Sequence, residues 1–191
     1  MRNACVALAL ALLAVGGPAR AQGSLLFDDF QTFCVATKAD PAAVKRAVEG
    51  AGWIAQSGPR ATTIAIPSVQ QSAHQAKQTW RRTVGGRTMK ISAATLLVPA
   101  TIYWGTETSF QCDVTSVDAK DDAGLAAVRK WIAVPQNGAD PAITSFDFRV
   151  AGGRHIAIRP QSERAMREYW AVWISSGGSS STVFYFHKMH P

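Results

Sequence analysis

Apolar residues near the start of the chain recur at helical spacing. Leu26, Phe30 and Phe33 lie four and then three residues apart, so they share one face of a helix. We therefore predict a first helix over 25–36. The same periodicity places Cys34 on the buried side of this helix.

A capping signal indicates a second helix. Asp40 is a good N-cap residue, and Pro41 suits the first helical position because its missing N–H is not needed there. The helix is predicted over 41–49 and is followed by Gly50. Trp53 comes next and is expected to anchor the core.

The segment 54–78 shows neither helical spacing nor clear alternation. It contains Pro59 and Pro67 and a polar stretch rich in Gln and Ser. A segment of this length without regular elements is uncommon in a compact domain. We interpret it as a loop or an irregular sheet edge, and as a candidate for function.

Beyond residue 79 the pattern changes to alternation with period 2, which is typical of strands. Gly85 and Gly86 form a turn between the first two of them. The segment 168–175 is apolar on both faces and predicts a central strand. The full set of predicted strands is 80–84, 87–97, 109–117, the alternating segments 146–150 and 156–158, 168–175, and 182–187.

One helix interrupts these strands. Asp121 and Asp122 supply its cap, and three apolar residues share one of its faces: Leu125, Val128 and Ile132. The predicted fold is therefore α+β, with N-terminal helices followed by a mainly antiparallel sheet of hairpins and one inserted helix. A single domain is predicted over 22–191, since chains of this length rarely split.

The first residues match a secretory signal peptide. Arg2 precedes ten apolar residues over 6–15, and the tripeptide 19–21 is an A-x-A cleavage site. Ten residues span about 15 Å as a helix, about half of a bilayer core, so a membrane span is not expected. We predict a signal peptide over 1–21, cleavage after Ala21, and a periplasmic or secreted mature protein.

The amino-acid composition adds one property to these predictions, which is the net charge of the chain. With 47% hydrophobic and 17% charged residues, the chain is far from the composition of disordered proteins. It has 20 Lys and Arg against 13 Asp and Glu, and the predicted signal peptide removes two arginines and no acid. The mature chain therefore keeps 18 basic and 13 acidic residues, a net charge of +5.

Two cysteines remain in the mature chain, because Cys5 leaves with the signal peptide. An even pair in an exported protein predicts one disulfide, here between Cys34 and Cys112. It would close a loop of 78 residues, and a loop of that size corresponds to about 4 kcal/mol in the chain-entropy account. Two buried free thiols are the alternative.

Basic residues form two groups, each around a hairpin with a Gly-Gly-Arg turn. The first group, predicted as a weak binding site, is Arg81, Arg82, Arg87 and Lys90, and the second is Arg154, Arg159, Arg164 and Arg167. If both turns met at one rim, they would form a surface for an anionic ligand. The alternative is an ordinary solvated face with positive side chains protecting a strand edge.

The usual signals of catalysis are absent from the sequence. Four histidines remain outside the signal peptide, His74, His155, His187 and His190, and none has a metal-ligand spacing, so we predict no metal site, no cofactor and no catalytic residue. The acidic pairs at 28–29 and 121–122 are explained by capping and solvated faces.

A set of short motifs resembles a known group of proteins. These motifs are the F-x-x-x-C run 30–34, the D-P pair 40–41, the G-W pair 52–53 and the strand cysteine Cys112. They resemble small exported proteobacterial proteins of unknown function. The resemblance implies a periplasmic or secreted protein with a helix-to-strand disulfide, and it carries over no catalytic residue.

Three functions are compatible with these features. The first is a non-enzymatic binding module for an envelope protein or an anionic surface component; nucleic acid is a poor partner in the compartment that the signal peptide implies. The second is an inhibitor or immunity protein against a toxin or a lytic enzyme. The third is a hydrolase that uses His155 or His187 with a nearby carboxylate.

Overall fold

A computed structural model describes residues 24–66, 71–98, 107–137, 143–158 and 166–189. The predicted signal peptide 1–21 lies outside these ranges, and so do Arg159, Arg164 and His190. Helices in the described part are α1 Leu25–Asp29, continued by a π-helix Phe30–Val35, then α2 Pro41–Gly50 and α3 Asp122–Ile132. The strands are β1 Ile54–Ile66, β2 Gln71–Val84, β3 Arg87–Val98, β4 Glu107–Ser116, β5 Ile143–Ala151, β6 Arg154–Ala157, β7 Glu168–Gly177 and β8 Ser180–Met189.

The strands form one eight-stranded antiparallel sheet in the order β1-β2-β3-β4-β8-β7-β5-β6. Strand β7 lies between β8 and β5, which confirms the central position predicted from its two apolar faces. Helix α3 connects β4 to β5 and lets the chain pass over the β7–β8 hairpin. The α+β class with one inserted helix is therefore confirmed.

The described residues of the segment 54–78 form strands at an edge of the sheet and not a loop. Strand β1 is the outermost strand and pairs with β2, with register shifts between Ala55 and Ser57 and between Ser57 and Arg60. Pro59 falls within the second shift, where a missing backbone N–H is tolerated. The prediction of an irregular edge was right, whereas the alternative of a loop was wrong because cross-strand pairing overrides the weak alternation.

The N-terminal helix ends in a form that spacing alone did not predict. Ser24 caps α1 by accepting from the Phe27 N–H, and the following turns widen into the π-helix. The helix ends at Val35, and in the turn that follows Lys38 and Ala39 have φ angles of +54° and +58°. Left-handed backbone at two successive non-glycine residues is uncommon and stops the helix sharply.

The recorded contacts of the three helices go to one face of the sheet. The π-helix is joined to β4 by the disulfide between Cys34 and Cys112, with a Cα–Cα distance of 5.4 Å, which confirms the predicted pairing. The Phe30 ring meets the Tyr185 ring edge-on at 5.8 Å. Trp80 of β2 is buried and donates to Glu49 of α2 at 3.3 Å. We call this the covered face.

Alternate residues of each strand point to the opposite side, which we call the open face. No helix of the described ranges makes a recorded contact with it. Its residues still show low exposure at the centre of the sheet, including Ser92, Ala94 and Ala171.

No helix within the described ranges is both long and apolar enough to cross a membrane.

Candidate functional site

The four basic residues of the first predicted group do not form one surface. Arg81 and Arg82 are consecutive in β2, so their side chains leave the sheet on opposite sides. Arg82 and Arg87 lie on the covered face with the helices. Arg81 and Lys90 are cross-strand partners and lie on the open face.

Arg82 is engaged within the molecule. Its guanidinium pairs with the Asp29 carboxylate and lies 4.5 Å from the centre of the Trp53 ring. Asp29 is only 3% exposed, so the expectation that it belongs to a solvated face was wrong. Burial raises the pKa of Asp29 from 3.8 to about 6, against the lowering effect of Arg82. Arg82 therefore fastens the first helix to the sheet.

Arg87 lines a cavity of about 610 Å³ beside the start of α3. Its guanidinium is 3.7 Å from the Asp121 carboxylate. That carboxylate caps α3 by accepting from the Gly124 N–H at 2.9 Å, and it also accepts from the Ser24 hydroxyl at 2.7 Å. Asp121 is the cap that the sequence predicted, and its hydrogen bonds join the starts of two helices.

The two Gly-Gly-Arg turns lie at opposite ends of the sheet, so the expectation of a shared rim was wrong. The start of β3 lies beside the end of β4, which lies beside the start of β8. The start of β5 is at that same end, because Ile143 pairs with Ser175. The last residues of β5 and the turn at 152–153 are therefore at the other end of the sheet.

A buried carboxylate lies at the centre of the open face. Asp113 is 3% exposed, and its Oδ1 lies 3.6 Å from the Lys77 Nζ and 3.4 Å from the Gln111 amide nitrogen. Burial raises the pKa of Asp113, while Lys77 and then Lys90 oppose this effect. The two lysines thus neutralise a carboxylate that has little access to water.

Aromatic rings lie next to this polar centre. Phe184 is the cross-strand partner of both Asp113 and Trp173. The Trp173 ring is 4.5 Å from the Phe186 ring, and the Phe186 ring is 6.4 Å from that of Phe184. Trp173 is nevertheless 38% exposed, and it is the largest of the exposed apolar side chains in the described ranges.

The open face carries an excess of positive charge. Its described basic side chains are Lys77, Arg81, Lys90, Arg149, Arg154 and Lys188, and its described acidic side chains are Asp113 and Asp147. Since Asp113 is buried and paired with Lys77, the excess is larger at the surface. This face can attract an anionic partner.

The two histidines proposed for a hydrolase differ in their surroundings. The Nδ1 atom of His155 lies 3.2 and 3.1 Å from the carbonyl oxygens of Trp131 and Ile132, where it donates to the end of α3. His187 has its Nε2 2.6 Å from the Glu168 Oε1 and stacks on Trp170. Among the residues that the structure describes, His187 has a carboxylate partner and His155 has none.

Metal-ligating side chains do not cluster in the part of the chain that the structure describes: no group of three His, Cys, Asp or Glu is found there. The side chain of His74 and all of His190 fall outside it.

Asp113, Lys77 and Trp173 were not predicted as site residues. The sequence carried a signal for Trp173, because an apolar residue on the second face of β7 needs another group to pack against. The two apolar faces of this segment were used only to predict a central strand. Alternation along β4 puts Asp113 on the polar side of that strand, opposite Cys112 and Val114. Nothing local showed that this side would be buried.

Comparison with known protein families, with curated proteins and with solved structures finds no match to this chain.

Proposed function

We propose that the protein is an exported, non-enzymatic binding protein that holds an anionic envelope component on its open face. The observation that carries the proposal is the pairing of Arg81 with Lys90 on that face, which also exposes the Trp173 side chain. Like charges directly opposite each other destabilise a sheet. A bound anion would relieve that repulsion.

The signal-peptide features of 1–21 and the disulfide support export. The disulfide joins Cys34 to Cys112 and removes both described thiols from nucleophilic chemistry. Binding also fits the architecture, in which the helices cover one face and leave the other to a partner. Proteobacterial envelopes expose anionic polymers and lipids, so a surface with a positive excess has partners in that compartment.

The test is binding of mature 22–191 to a panel of polyanions, with polyglutamate, acidic polysaccharides and anionic phospholipid vesicles as probes. A variant with Arg81→Gln and Lys90→Gln should lose most of the affinity, and added salt should weaken wild-type binding. The matched control carries Arg46→Gln and Lys120→Gln, two exposed residues away from the open face. Equal binding by both variants, or no binding by the wild type, would contradict the proposal.

A hydrolase is the second candidate, because the structure holds a His–carboxylate pair in His187 and Glu168. Such a pair is the base and orienting group that activated nucleophiles require. Turnover of ester, amide or glycoside substrates by the wild type and its loss in His187→Asn and Glu168→Gln would support this function. Full activity in both variants, or no activity in the wild type, would reject it.

A further inference from the structure

The open face places an aromatic platform and a polar cluster in one continuous row. The register aligns Trp173 with Phe184, Phe184 with Asp113, Asp113 with Ser92, and Ser92 with Thr79. Neighbouring strands are about 4.8 Å apart, so this row of five residues spans about 19 Å. Ser92 and Asp113 are buried within this row, so a ligand meets it at Trp173 and Phe184 and at the basic side chains beside it.

The aromatic end of the row suits the apolar face of a sugar ring. A pyranose presents its C–H groups on one face, and a flat exposed ring can stack against them. Trp173 offers such a ring, and Phe186 supports it from the next strand at 4.5 Å. Phe184 extends the platform toward Asp113.

The polar end of the row suits hydroxyl and carboxylate groups. Lys77 approaches Asp113 at 3.6 Å with a partly exposed side chain, and an ammonium group has three donors, so further donors remain for a ligand. Asp113 is itself too buried to meet a ligand and acts as a positioning residue for Lys77 and Lys90. Arg81 lies opposite Lys90, one row further out.

Together these features identify a ligand class. An anionic lipid or an acidic peptide uses the charges but not the aromatic rings, whereas a neutral glycan uses the rings and leaves the excess positive charge unpaired. We infer that the open face binds a polysaccharide of carboxylate-bearing sugar rings, which stack on Trp173 and Phe184 while their carboxylates pair with Lys77, Arg81 and Lys90. This inference rests on the proposed function and names its ligand.

The experiment compares three kinds of probe on mature 22–191. Polygalacturonate, alginate and hyaluronate carry rings and charges; methyl-esterified polygalacturonate keeps the rings without the charges; polyglutamate keeps the charges without the rings. Affinity is measured by calorimetry and by tryptophan fluorescence. At least one acidic polysaccharide should bind about tenfold more tightly than either reference probe.

Substitution at Trp173 tests the platform. Trp173→Ala should weaken binding of that polysaccharide about tenfold, and Trp173→Phe, which keeps a ring, should restore most of it. Polyglutamate affinity should not change in either variant. The matched control is Val150→Ala, which alters another exposed apolar side chain on the covered face and should leave all affinities unchanged.

The outcomes separate this inference from the proposed function. Equal affinity for polyglutamate and the polysaccharides, unaffected by Trp173→Ala, would overturn the sugar ligand and leave anion binding intact. Absence of binding to every polyanion would overturn both. A wild-type dimer in sedimentation that dissociates on Trp173→Ala, without polysaccharide binding, would show that a second copy of the chain occupies this face and would overturn the inference.

Discussion

Replacing Arg82 should destabilise the fold, whereas replacing its neighbour Arg81 should not. Arg82→Met keeps the length and apolar stem of the side chain but leaves the Asp29 carboxylate buried without its partner. Breaking a buried pair in this way costs about 3–5 kcal/mol, and loss of the contact with Trp53 adds about 1 kcal/mol. Arg81→Met affects a side chain on the open face and should cost less than about 0.5 kcal/mol.

The pKa of Asp29 predicts the direction in which the stability of the fold changes with pH. The pKa of Asp29 is about 6 in the folded protein against an ordinary 3.8, so the folded state retains a proton between these values that the unfolded state has lost. Stability contributed by Asp29 is therefore full below about pH 4 and falls as the pH rises through 6. The shift corresponds to about 3 kcal/mol. Without Arg82 the penalty for ionising Asp29 grows.

Equilibrium unfolding in guanidinium chloride at pH 5 and pH 7.5 measures both effects. Arg82→Met should lose more stability at pH 7.5 than at pH 5, and adding Asp29→Asn should recover part of the loss at pH 7.5. The single Asp29→Asn variant should flatten the dependence of stability on pH between 4 and 7. Equal loss from Arg81→Met and Arg82→Met, or a larger loss at pH 5, would refute the reasoning.

Two further sets of substitutions test the contacts that connect the helices to the rest of the fold. Replacing Cys34 and Cys112 together by Ala should lower the free energy of unfolding by about 4 kcal/mol, because the bond closes a loop of 78 residues; a denaturant midpoint equal to that of the oxidised wild type would contradict this. Asp121→Ala should cost about 1–2 kcal/mol, since it removes the cap of α3. The control Asp122→Ala, at the next position, should change the unfolding midpoint much less; equal losses would show that the cap is not the cause.

Features that depend on local pattern were predicted well. The caps at Asp40 and Asp121 and the glycine turn at 85–86 follow from backbone hydrogen bonding and φ angles within a few residues. The pairing of Cys34 with Cys112 followed from there being only two cysteines outside the predicted signal peptide. Each of these is independent of the order in which the strands assemble.

The candidate site depends on assembly, and there the sequence was insufficient. Alternation along β2 already separates Arg81 from Arg82, but only the docking of the helices decides which of them stays available to a partner. Strand direction sets the two Gly-Gly-Arg turns at opposite ends of the sheet, since β3 and β5 run the same way and one turn precedes β3 while the other follows β5. Strand order brings Trp173 into one row with Asp113.

The sequence by itself determined the helices, most of the strands, the disulfide and the charge, because short-range spacing and composition carry that information. Only the tertiary structure decided that Asp29 is buried against Arg82 and that Asp113 is buried on the open face. Burial of a polar side chain depends on which distant strands and helices surround it. That arrangement arises from long-range packing, which no local pattern encodes.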